Sequence, residues 1–348
     1  MPRLTIDLTK IEHNARLVAE LLKPHGVKLV GVTKACRGNE LVAEAMLAGG
    51  AAGLADSRAG NVRKLRRHFS DARISFLRSP VTREDICFDA DACFVSSLEQ
   101  ALPLLRQARG RPLRFFLMIE TGDGREGVPL ELASEEAGLI AQTRDAELVG
   151  LATNAACARA DAPVGEALAA FNDVTAKIDW RLGRGQGSNL MSSAGGSGLL
   201  SLLVDPEEME GKPRGWCMSL FAPVTELRCG EAILLGRIPS PSAADLYLEG
   251  AHRDAFILEG PVLEVFRKGG MTQALVGFGV QDTGGAGLIP CHPGITPASA
   301  TSDYFAISCS SPELAAHPLR IGEPVRFIPT YYALVAAMTS PYVSKDFI

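Results

Sequence analysis

The feature that most constrains this chain is a repeated pairing: a short apolar run, then a stretch whose apolar residues recur every three or four positions. Short runs bounded by turn residues read as buried strands, and the stretches between them as amphipathic helices. The runs are Lys28 to Val32, Ala52 to Ser57, Ile74 to Arg78, Ala92 to Ser96, Leu113 to Ile119, Leu148 to Thr153, Ser188 to Met191 and Val224 to Leu227. Helices are predicted after them, among them Asn39 to Leu47 with Leu41, Val42, Ala45 and Met46 inward, Leu132 to Ala141, and Val164 to Ile178. A short turn and helix should follow Arg78. About eight strands, each followed by a helix or loop, make the tally of an α/β fold of the (β/α)8 TIM-barrel type rather than an open doubly wound sheet. Before them, Arg3 to Leu8 alternates like a strand, and Thr9 can cap a helix with Ile11, Ala15, Val18, Leu21 and Leu22 on one face. That first strand is surplus to the barrel and should pair elsewhere.

Past Gly236 the texture changes. Pro239 and Pro241 mark a linker. Strand signals then come without long helices, at Ala255 to Leu258, Val262 to Phe266, Gln273 to Val280, Tyr304 to Ser308 and Val325 to Ile328, with a short helix from Tyr331 to Met338. The predicted organisation is a barrel over residues 9–236 and a β-rich C-terminal domain over 237–348, to which the resemblance described below adds residues 1–8.

Composition narrows the function. With 47% hydrophobic and 22% charged residues the chain reads as soluble and globular, and a net charge of −5 without an aromatic-flanked basic run argues against nucleic acid as partner. No apolar stretch approaches the roughly 20 residues of a membrane span. The eight cysteines lack any Cys-x-x-Cys pair, which fits free thiols and a cytoplasmic protein.

In a (β/α)8 barrel the chemistry sits where strands end, so the candidates are the polar residues after each run: Lys34, Asp56, Ser57, Arg78, Ser96, Ser97, Thr121 through Arg125, Asn154, Ser193 and Arg228. A lysine buried in such a mouth is driven toward the neutral amine, the form that attacks a carbonyl carbon. Ser192 to Gly198 reads as a small-residue turn opening a helix, and Cys229-Gly230-Glu231 opens another, so backbone N–H groups from both would face a phosphate between them. The set describes a site for an anionic ligand with a reactive carbonyl.

Five spaced motifs carry a more specific likeness: Val32-Thr33-Lys34-Ala35, Glu120-Thr121-Gly122-Asp123-Gly124-Arg125-Glu126-Gly127, Gly150-Leu151-Ala152-Thr153-Asn154, Leu227-Arg228-Cys229-Gly230-Glu231 running on to Gly236, and Ala337-Met338-Thr339-Ser340-Pro341-Tyr342-Val343. Together they resemble the alanine racemase fold-type of pyridoxal phosphate enzymes, and within it the ornithine racemase branch. The resemblance implies that Lys34 forms the Schiff base with pyridoxal 5'-phosphate and acts as one acid/base on the substrate Cα. It places Arg228 at the pyridine nitrogen, Arg125 near the phenolic oxygen, Asn154 where a histidine usually lies under the ring, and Ser193 or Ser197 with the amides of Gly230 and Glu231 on the phosphate. It implies a homodimer with shared active sites, and it joins the first strand to the C-terminal β domain.

The chain departs from that family at the second acid/base. The family tyrosine falls in the stretch Gly277-Phe278-Gly279-Val280-Gln281-Asp282, which has none. Cys291 and His292 lie a few residues on, and Cys291 is the candidate replacement. Gly38 and Phe347 stand where two further tyrosines are usual, with Tyr342 the available substitute on the phosphate. The expected activity is racemisation or epimerisation of a free amino acid. The carboxylates Asp123, Glu126 and Asp303 suit a basic side chain such as that of ornithine, and Asp123 and Glu126 equally suit holding Arg125. Two rival readings are a fold-related D-amino acid lyase with a metal beside the cofactor and a non-catalytic pyridoxal phosphate carrier.

Overall fold

The computed structural model describes residues 1–155, 163–182, 190–205, 213–240, 246–268, 271–310 and 319–348. Cys157, Ser188, Asn189 and Pro241 therefore lie outside the described residues. The chain divides into two compact units, one of residues 12–34 and 38–251, the other of 1–11, 35–37 and 252–348.

The first unit is a closed barrel of parallel strands in sequential order: β2 (Lys28–Val32), β3 (Gly53–Asp56), β4 (Ile74–Phe76), β5 (Ala92–Val95), β6 (Leu113–Ile119), β7 (Ala146–Asn154), β8 (Met191–Gly195) and β9 (Glu226–Cys229). β9 closes on β2 with Val30 opposite Arg228 and Gly31 opposite Cys229. The helices Glu40–Ala48, Ala59–His68, Leu98–Ala108, Ala133–Gln142 and Val164–Arg181 alternate with the strands. Asn39 caps the first of these by accepting the N–H groups of Leu41 and Val42. Leu41, expected inward, is exposed because it stands at the second position of that helix, on the face turned to solvent. Between β4 and β5 the connection holds only the 3₁₀ turn Arg83–Asp85 where a helix was expected; Thr82 and Asp85 tie it locally by a 2.8 Å hydrogen bond.

The eighth-strand region corrects another expectation. Ser192 to Gly195 are strand residues of β8, and the turn begins at Gly196, whose φ is 107°. Small residues are needed there because long side chains from β9 fill the adjoining volume, as shown below.

The second unit is an antiparallel sheet in the order β14 (Leu288–Pro290), β17 (Pro324–Pro329), β12 (Phe256–Lys268), β13 (Met271–Val276), β16 (Phe305–Cys309), β15 (Ile295–Ala300). The surplus strand β1 (Arg3–Ile6) joins it, antiparallel to β12 and parallel to β18 (Ser344–Phe347), outside the barrel as the strand count expected and in the sheet that the resemblance implied. The two runs expected at Ala255 to Leu258 and Val262 to Phe266 are one strand, β12, which pairs with β17 up to Pro261 and with β13 from Val262 on, with a bulge at Leu263 within the second pairing. Phe278, Phe305 and Phe327 pack ring to ring at 5.4 to 5.6 Å in its core. The helix that opens at the end of β1 starts at Leu8, one residue before the expected cap; Asp7 accepts the N–H of Lys10 at 3.1 Å and does the capping instead of Thr9.

Candidate active site at the barrel mouth

Within the barrel unit the C-terminal ends of the eight strands bring the polar candidates to one mouth. Lys34 is the first residue past the wall on β2: Thr33 is fully buried, its hydroxyl donating to Asp56 at 2.7 Å, and the chain then enters the 3₁₀ turn Lys34–Cys36. Lys34 is exposed, and among the described residues its ammonium makes no hydrogen bond or ion pair. The amine is therefore not buried in the mouth as expected; it stands beyond the layer that Thr33 and Asp56 seal. Asp56 also accepts the N–H of Arg58 and the amide of Asn61, so it fastens the loop after β3 to the lysine's strand. Desolvation raises its pKa above the ordinary carboxylate value, against the lowering by Thr33 and its other donors.

Arg228 is the centre of the site. On β9 it points into the barrel and is 4% exposed. One guanidinium nitrogen donates to the Ser193 carbonyl at 2.9 Å and the Ser193 hydroxyl at 2.6 Å; the other donates to the Thr153 carbonyl at 2.7 Å and Asn154 Oδ1 at 2.9 Å. Its carbon lies 4.8 Å from the centroid of the Phe94 ring, which stacks on Phe116. Gly195 makes this possible: a Cβ there would collide with the guanidinium and with Asn154 Oδ1.

Asn154 passes the network outward, its amide donating to Glu126 at 3.0 Å. Arg125 lies beside both acids, 2.6 Å from Asp123 and 3.8 Å from Glu126. Asp123 is 3% exposed, so the structure commits it to Arg125. Glu120 shapes this loop by accepting the N–H groups of Gly122, Gly124 and Arg125.

Ser197 and Gly230 face each other across the next gap. The Ser197 hydroxyl accepts the N–H of Ala232 at 3.1 Å and lies 3.2 Å from the Cys229 sulfur. The helix Glu231–Leu235 starts at Gly230, whose backbone packs so closely on β2 that a Cβ would stand 3.2 Å from the Val32 carbonyl. The amides of Gly230 and Glu231 thus open next to the C-terminal end of β2, two residues before Lys34. Arg78 is paired with Asp85 at 3.7 Å, Ser97 caps the helix Leu98–Ala108, and Ser96 Oγ is buried without a hydrogen bond among the described residues.

Three candidates belong to the second unit. Cys291 is exposed, its thiol pushed up by partial burial and the nearby Asp254 against the opposing Arg326. Asp303 is exposed and accepts the amide of Gln281 at 3.1 Å; Tyr342 is 58% exposed. Phe278, which fills the stretch where the family has its tyrosine, is a core residue.

Two residues that pair below the mouth, one buried and one partly buried, escaped the sequence reading. Glu226, 1% exposed, accepts the Ser193 hydroxyl at 2.6 Å and pairs with Arg73. Glu226 was legible as the residue two before Arg228, on the same strand face. Arg73 enters from the N-terminal end of β4 and left no signal.

A closed parallel barrel whose mouth carries an amine, a buried guanidinium and a helix-opening turn, accompanied by an antiparallel sheet unit, defines a barrel enzyme of the alanine racemase fold. The alanine racemase N-terminal domain model matches residues 6–203, and the chain belongs to that family. It is 30% identical to lysine racemase of Thermotoga maritima over 99% of this chain and 98% of that protein. It is 25% identical to ornithine racemase of Acetoanaerobium sticklandii over 100% and 99% respectively. Alanine racemase of Corynebacterium glutamicum superposes with a TM-score of 0.71 at 20% identity, covering 100% of this chain and 99% of that one. D-threonine aldolase of Filomicrobium marinum does so with 0.76 at 17% identity, over 97% and 89%.

Proposed function

We propose that the protein is a pyridoxal phosphate-dependent amino acid racemase acting on a free basic amino acid, lysine or ornithine in kind. The observation that carries this reading is the Arg228 guanidinium, buried inside the barrel on the strand next to β2, the strand that Lys34 follows two residues on. The donor set fits the cofactor: a primary amine for its aldehyde, a guanidinium for its ring nitrogen, and Ser197 with the amides of Gly230 and Glu231 for its phosphate. Ser193 is the weaker phosphate candidate, because its hydroxyl is engaged by Arg228 and Glu226. Bound there, the cofactor supplies an electron sink for the pair left when the Cα proton departs.

The residues do the rest. Arg228 is a permanent cation, and facing the ring nitrogen of bound cofactor it would disfavour protonation there, which would keep the electron sink moderate and favour return of the proton to Cα. Lys34 Nζ takes or gives the Cα proton on one face. For the other face the chain offers the Cys291 thiol in place of a tyrosine. Its raised pKa keeps it protonated at neutral pH, suited to giving a proton. Asp303 supplies an exposed carboxylate for a substrate ammonium, while Asp123 holds Arg125. The named relatives, a lysine and an ornithine racemase, favour the basic substrate. A homodimer in which each sheet unit completes its partner's mouth, in a reducing cytoplasm, completes the proposal; the described cysteines are all free thiols.

Incubation with L-lysine, L-ornithine and L-alanine in D₂O tests it. Deuterium at Cα together with the D-enantiomer of the basic amino acids is expected. Exchange with no inversion would overturn racemisation. Metal analysis separates the lyase reading; among the described residues no three His, Cys, Asp or Glu side chains are grouped as ligands.

A further inference from the structure

Barrel interiors of this type are filled by layers of branched apolar side chains, and a buried ion pair in one costs desolvation energy that its own attraction often fails to recover. This barrel nevertheless holds the Glu226 carboxylate inside, paired with a partly buried Arg73, and has made room for both. Gly53 at the start of β3 is the passage: a Cβ there would stand 2.9 Å from the Arg73 carbonyl and 3.2 Å from its Nε. Arg73 reaches in from the N-terminal end, places one guanidinium nitrogen 4.0 Å from the Met191 sulfur, and pairs with Glu226 through the other.

The second Glu226 oxygen accepts the Ser193 hydroxyl proton at 2.6 Å, which leaves the lone pairs of that hydroxyl for the Arg228 N–H, also 2.6 Å away. A hydroxyl has one proton, so where it goes decides whether Ser193 attracts the guanidinium or opposes it. We infer that Arg73 and Glu226 are positioning residues for Arg228, acting through Ser193: Arg73 fixes the Glu226 carboxylate, Glu226 fixes the direction of the hydroxyl, and the hydroxyl fixes the guanidinium. This rests on the role proposed for Arg228 at the cofactor ring.

The test is a cycle of Ser193→Ala, Glu226→Gln and the double variant in the full-length holoenzyme. Each single variant is expected to lower kcat about tenfold, the worth of one hydrogen bond to a charged group, with KM within about twofold. Each should alter the absorption spectrum of bound pyridoxal phosphate in the same sense. Because the two residues act in series, the double variant falls no further than the worse single one. Effects that multiply to about a hundredfold, or a lowered kcat with an unaltered cofactor spectrum, overturn the inference. Should the wild-type protein bind no pyridoxal phosphate, the functional reading fails, and a crystal structure of Glu226→Gln still decides the positioning role. Arg228 displaced from Ser193 supports it; Arg228 unmoved contradicts it.

Discussion

Gly195 has no side chain because Arg228 and Asn154 occupy that volume. Gly195→Ala should therefore move the guanidinium by about the ångström that costs roughly a hundredfold in rate. Steady-state racemisation kinetics of the folded variant check it, and a rate within twofold of wild type, roughly the noise of such a comparison, would remove Arg228 from the centre of the site. Asp56 makes a pH prediction. Its carboxyl ionises at a higher pH when folded than when unfolded, so the stability tied to it is complete below the ordinary carboxylate pKa and is lost as pH rises through the raised value. Asp56→Asn can keep the bonds to Thr33, Arg58 and Asn61 and cannot ionise. Urea denaturation between about pH 4 and pH 7 should show the wild type losing stability relative to this variant as pH rises. Parallel curves would contradict it. At Cys291, substitution by alanine is expected to abolish inversion while leaving one-face deuterium exchange at Lys34 in place.

At the scale of elements, the barrel was legible because each buried strand is a run of apolar residues too short for a helix, and the count of such runs is the fold. β8 was misplaced for a physical reason: its inward positions are Ser193 and Gly195, small so that Arg228 and Glu226 can lie across them, and a strand of small residues looks like a turn. The fusion of two expected strands into β12 was hidden by Gly260 and Pro261, residues that usually break a strand and here lie against β17, where Pro261 pairs with Pro324. The loop residues gathered at the barrel mouth were named by their position after strands. The ionic interior was not, since Arg73 belongs to the opposite end of the barrel. In the sheet unit, Glu259 is buried and bridges Arg3 of β1 to Arg326 of β17 across β12. Both arginines are about half exposed or more, so Glu259→Ala should cost only about 1–2 kcal/mol in urea denaturation, well short of a fully buried pair.

For the whole molecule, the resemblance and the relatives span both units, so the sheet unit is part of what the family shares. Thiol labelling of the native protein reads the fold directly. Cys291 should react first and Cys309 next, while Cys93 and Cys229, pushed by burial up to about 12 and about 11, stay protected with Cys36, Cys87 and Cys217. Everything functional depends on the amine of Lys34 being the one that pyridoxal phosphate occupies. Borohydride reduction of the purified protein followed by peptide mass mapping measures that. A pyridoxyl group on the peptide containing Lys34, missing from Lys34→Ala, is the predicted result; an unmodified Lys34, or the group on a different lysine, would contradict the account.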